Sequence, residues 1–73
     1  MNNLTARERE IAFAVAEGLP NKLICRRFGI SEGTVKIHLH NIYQKLGIDS
    51  RTMLAVMAVK NQPVSDGLGS QPG

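Results

Sequence analysis

PNKLICRRFGISEGTVKIHLHNIYQKLG, residues 20–47, is the stretch that decides the fold. Within it Val35, Leu39, Ile42 and Leu46 recur at i, i+4, i+7 and i+11. On a helix turning about 100° per residue they form one narrow apolar stripe, which predicts a core-facing helix over Glu32–Leu46. Ser31 before it is a capping residue and Gly47 after it a left-handed stop. Upstream, Pro20 suits the first position of a shorter helix running to Phe28, with Leu19 a poor cap. Gly29 followed by Ile30 predicts a left-handed termination with an apolar contact back toward Ile24 or Cys25. Two helices joined by three or four residues containing a glycine have helix-turn-helix spacing.

Outward from this unit, Thr5 and Glu8 stand three residues apart as a capping box. They predict a first helix reaching about Glu17, stopped by Gly18. Ile11, Ala12, Ala14 and Val15 fall on one side of it, with Phe13 on the other. A fourth helix is expected from near Ser50 to about Lys60. Asn61–Gly73, NQPVSDGLGSQPG, is Gly, Pro, Ser and Gln with few apolar residues, and is expected to be disordered. The domain reading is therefore 1–60 folded and 61–73 tail, the fold an all-α, compact four-helix bundle containing a helix-turn-helix.

Seventy-three residues allow one small domain burying roughly 60% of its unfolded surface. With 4% aromatic residues and no Trp, a pocketed architecture is not expected. A single Cys25 excludes an internal disulfide framework and a cysteine-cluster metal site, and is expected to be a small buried core residue. His38 and His40 are two apart, so on one helix they point about 160° away from each other and do not chelate one metal. No strand precedes a Gly-rich phosphate loop, and Cys25 has no nearby base. No enzyme, metal or cofactor is expected. No apolar run is long enough for a membrane span and no signal segment follows Met1, so the expectation is a soluble, cytoplasmic chain with no membrane partner.

Charge narrows the function. The chain carries nine Lys and Arg against six Asp and Glu, a net +3. Residues 21–46 hold Lys22, Arg26, Arg27, Lys36 and Lys45 against Glu32 alone, while the remainder is slightly acidic. Such a concentrated basic face suits double-stranded DNA, whose phosphates are neutralised with release of counterions. A solvated basic surface is the plainer explanation of charge alone. Side-chain types on the third helix favour DNA: Lys36 and His40 donate to guanine acceptors, Gln44 reads adenine or donates to phosphate, and Ile37 suits a thymine methyl. Gly33 removes a side chain near the helix start, where backbone approaches a phosphate. Thr34, His38 and Lys45 form one flank, with Asn41 at its edge and Tyr43 on the other side.

LTARERE at residues 4–10, AEGLPNK at 16–22, ISEGTVKIHLHNIYQKLG at 30–47 and SR at 50–51 closely resemble the C-terminal domain of the LuxR/FixJ/NarL family of bacterial regulators, over about residues 4 to 60. The resemblance implies a four-helix DNA-binding domain of a response-regulator type, its third helix the recognition helix that enters the major groove, dimeric through its fourth helix. It implies base contacts from Lys36, Ile37 and His40, and backbone contacts from Asn21, Lys22, Thr34, His38 and Lys45. Family members generally carry a receiver or ligand-binding module ahead of this one. The chain is then an excised output domain or a single-domain regulator. Pro20 stands where many relatives have a capping Ser. His40 stands where a longer polar residue is frequent. Phe13 and Leu23 are unexpected apolar residues, expected at the surface; contacts to a further domain or to RNA polymerase are one explanation, and scattered surface residues the plainer one.

The fourth helix is apolar all round. Leu54, Ala55 and Ala58 are assigned to the core; Thr52, Met53, Val56 and Val59 occupy the other face. Nothing further in a 73-residue chain covers that face, so a weak homodimer is expected independently of the family. The competing reading is an interaction domain that dimerises with a full-length regulator without productive DNA binding. The intact Lys36, Lys45 and Thr34 argue against it.

Overall fold

The computed structural model describes residues 3–61, which form four helices: α1 (Ala6–Ala16), α2 (Asn21–Phe28), α3 (Glu32–Leu46) and α4 (Arg51–Lys60). The tail expected to be disordered lies, from residue 62 onward, outside the described residues. All-α architecture with a helix-turn-helix is thus the observed fold.

Local chemistry sets the boundaries. The Thr5 hydroxyl accepts from the Glu8 amide at 3.1 Å, and the Glu8 carboxylate accepts from the Thr5 amide at 2.9 Å, completing the capping box. Ser31 and Ser50 cap α3 and α4 by accepting from the Thr34 and Met53 amides. Gly29 and Gly47 both close their helices at φ +68°, in the left-handed region that costs an L-residue with a Cβ roughly 1–2 kcal/mol. The Ile30 amide then donates to the Cys25 carbonyl, and the Ile48 amide to the Tyr43 carbonyl. These are the six-to-one bonds of a Schellman termination. One boundary differs from expectation. Pro20 is the N-cap rather than the first helical residue: at ψ 164° it is extended, and its carbonyl accepts from the amides of Leu23 and Ile24.

The core comprises Leu4, Ile11, Ala12, Ala14, Val15, Ile24, Val35, Leu39, Ile42, Leu54 and Ala58. Helix α1 packs against all three others and most extensively against α4. Two expectations are corrected. Phe13 is not an exposed aromatic but is partly buried against the core, because neighbours on several sides cover more of α1 than a single apolar stripe requires. Cys25 is not a fully buried core residue but only partly buried against the core; its thiol donates to the Lys22 carbonyl at 3.0 Å. Leu23 is exposed as expected, at 44%. Among the described residues no helix is long and apolar enough to cross a membrane.

Candidate nucleic-acid interface

Helix α3 turns Val35, Leu39 and Ile42 inward, the first and last of them with no solvent exposure. Its opposite side carries Gly33, Lys36, Ile37, His40 and Gln44, all exposed. These lie at i, i+3, i+4, i+7 and i+11 and form one continuous ridge. Ile37 is 62% exposed, the most exposed large apolar residue among those described, and stands between two polar donors. Burying it in the fold would require rotating α3, which the inward stripe prevents.

The flanks are more constrained than the ridge. Thr34 is partly buried, with its hydroxyl 3.0 Å from that of Ser31. His38 is partly buried as well. Lys45 reaches across to α1, where its ammonium donates to Glu8 Oε1 at 2.8 Å. Glu8 is 4% exposed, and the Lys45 ammonium, followed by the Thr5 amide, holds its carboxyl below the usual glutamate range. Asn21, at the start of α2, accepts from Arg51 through Oδ1 at 2.7 Å.

The five cations of residues 21–46 are therefore not equivalent. Arg27 pairs with Glu17 at 2.8 Å, with both side chains about half exposed. Lys45 is held by Glu8. Lys22, Arg26 and Lys36 are exposed and have no carboxylate partner among the described residues. Arg7 lies 4.9 Å from the Phe28 ring centre and 3.8 Å from Glu10, which links α1 to the end of α2. Sequence spacing reveals neither the Glu8–Lys45 pair nor the Arg51 contacts. The one visible signal was the presence of Glu8, Lys45 and Arg51 inside the motifs quoted above.

A helix-turn-helix with its second helix presenting an outward polar ridge around an exposed isoleucine defines a class: a helix-turn-helix domain of the kind that binds DNA. Residues 2–58 match the family model described as bacterial regulatory proteins, luxR family, and the chain belongs to that family, which implies DNA binding in transcription regulation. It is 49% identical over 59 residues to the probable transcriptional regulatory protein SgaR of Hyphomicrobium methylovorum, covering 81% of this chain and 28% of the relative. Over 56 residues it is 48% identical to the nitrate/nitrite response regulator protein NarL of Escherichia coli K12, covering 77% and 26%. Over 51 residues it is 55% identical to the monoamine regulon transcriptional regulator of Klebsiella aerogenes, covering 70% and 22%. The chain thus spans about a quarter of the length of these three relatives.

Proposed function

We propose that this chain binds double-stranded DNA sequence-specifically, with α3 in the major groove and Lys36, Ile37 and His40 against base edges. The observation that carries this reading is the exposed Ile37 between Lys36 and His40, opposite the fully buried Val35 and Ile42. An apolar side chain on a basic ridge has a natural partner in a thymine methyl, and its donor neighbours have partners in guanine acceptors. Backbone contacts come from Asn21, Lys22, Thr34, His38 and Lys45, with Lys45 exchanging between Glu8 and a phosphate. No catalytic role or cofactor is proposed.

The second part of the proposal is weak self-association through α4. Met53, Val56 and Val59 are 48%, 43% and 56% exposed, and Thr52 is exposed beside them. Together with Ala55 and Lys60, Val56 and Val59 line a shallow apolar depression. The proposed occupant is the same face of a second copy. One helix per subunit buries less than the roughly 1,200 Å² of a stable complex, so the pairing is reinforced by two adjacent half-sites on DNA. The relatives are about four times longer than the matched segment, which supports an output domain of a larger response regulator over a single-domain regulator. The proposed place of action of such a regulator is the cytoplasm, where its DNA is, with RNA polymerase one candidate partner.

The test is selection from a random duplex pool, followed by anisotropy titration of selected and scrambled duplexes at two salt concentrations. A preferred sequence with a steep salt dependence is expected. Equal, weak affinity for both duplexes supports the interaction-domain alternative instead.

A further inference from the structure

Arg51 opens α4, yet its guanidinium reaches back to the start of α2. Nη1 donates to Asn21 Oδ1 at 2.7 Å, and Nη2 donates to the Leu19 carbonyl at 2.8 Å. One planar group therefore holds the chain on both sides of Pro20, across 30 and 32 residues of sequence. Among the described residues these are the only side-chain hydrogen bonds linking α4 to α2 and the segment before it.

We propose that Arg51 is a positioning residue for the DNA phosphate contact, holding the Asn21 amide so that Nδ2 faces outward as a donor. This inference rests on the placement of Asn21 among the backbone contacts. The chemistry allows one orientation only. A guanidinium has donors and no acceptor, so the amide must turn its oxygen toward Arg51. A phosphate accepts and does not donate, so the group left for it must be the amide nitrogen. Asn21 Nδ2 has no partner among the described residues. Withdrawal of electron density through Oδ1 also strengthens Nδ2 as a donor. Pro20 provides no side-chain cap and Asn21 is partly buried; apart from the Cys25 thiol on the Lys22 carbonyl, which lies within α2 itself, the Arg51 bonds are the only side-chain hydrogen bonds at the start of α2 among the described residues. The consequence is a link between the two halves of the proposed function. The residue that orients a phosphate donor lies two positions before Met53, on the helix proposed to pair subunits.

The experiment is a double-mutant cycle on the full chain, read by anisotropy against a duplex recovered from the selection. Asn21→Ala is expected to weaken binding about three- to tenfold, the range of one hydrogen bond. Arg51→Met is expected to weaken it by a similar factor alone, and by nothing further when combined with Asn21→Ala. Equal losses from Arg51→Met in both backgrounds overturn the proposal, because Arg51 then acts through general stability or its own phosphate. An unchanged affinity in Asn21→Ala also overturns it, while the reading of α3 stands or falls separately on Lys36→Ala. If Arg51→Met does not fold, Arg51→Lys completes the same cycle, since an ammonium keeps the charge but lacks the fork. Asn21→Asp gives an independent readout: it retains the oxygen for Arg51 and removes the outward donor. Unchanged or higher stability with lost DNA affinity supports the proposal; unchanged affinity overturns it.

Discussion

Lys45 Nζ lies 2.8 Å from Glu8 Oε1, joining the last turn of α3 to the first turn of α1. The same Glu8 oxygen accepts from the Thr5 amide, so one carboxylate both caps α1 and anchors α3. The pair is asymmetric: the Lys45 side chain is 35% exposed and that of Glu8 6%. Loss of the lysine therefore strands a carboxylate that water barely reaches.

Lys45→Met is accordingly expected to destabilise the domain by about 1–3 kcal/mol, below the range of fully buried pairs because the lysine is partly solvated. Urea denaturation checks this. Glu8→Gln combined with Lys45→Met should recover part of the loss, because no charge is then stranded. A Lys45→Met protein as stable as the wild type shows the pair to be energetically idle. On DNA, the same variant at a temperature where it is folded should bind all sequences more weakly, with a salt slope lower by about 1.

Glu8 also sets an acid limb on stability. Its folded-state carboxyl titrates below its usual value of 4.5, chiefly because of Lys45. A depressed carboxylate contributes stability fully above the unfolded value, and that contribution is lost as pH falls through the lower folded value. Stability should thus be insensitive to this group near neutrality and fall below about pH 4.5, by at most about 1.4 kcal/mol per pH unit from Glu8. Denaturation curves at pH 7, 5, 4 and 3 should show a shallower acid limb in Glu8→Gln, and likewise in Lys45→Met. A limb unchanged in Glu8→Gln assigns the acid sensitivity to other carboxylates.

Lys36 and Lys22 are both exposed cations without carboxylate partners among the described residues, but one stands on the α3 ridge and the other at the start of α2. Lys36→Ala should cost about 1–3 kcal/mol on the selected duplex and relax preference at one base pair. Lys22→Ala should weaken selected and scrambled duplexes alike and reduce the salt slope by about 1. Uniform losses from both variants mean that α3 is rotated differently in the groove.

Val56→Asp tests the α4 face. Val56 is 43% exposed, so the isolated domain should tolerate the change with little loss of stability. A charge placed against its symmetry mate is costly, so binding to a duplex with two half-sites should suffer far more than binding to one half-site. Equal losses on the two duplexes remove α4 from the subunit contact.

Much of this architecture was fixed by short-range sequence chemistry. Thr5 with Glu8, Ser31, Ser50, Gly29 and Gly47 each mark a helix end through bonds spanning three to five residues, and each does so in the structure. The facing of α3 was equally legible, because Val35, Leu39 and Ile42 repeat with the helical period and leave Lys36, Ile37 and His40 on the far side. Periodicity constrains one helix at a time, however, and is silent on how helices meet. Only the packing of α1 against three neighbours covers Phe13, brings Lys45 to Glu8 across 37 residues, and brings Arg51 to Asn21 across 30. Those contacts depend on interhelical distance and angle, to which every core side chain contributes, so no local spacing of charged residues announces them. Lys45 was legible from the sequence as a cation on the flank of α3, and Asn21 only through the family resemblance. That each is also held by a distant partner was decided by the tertiary structure alone.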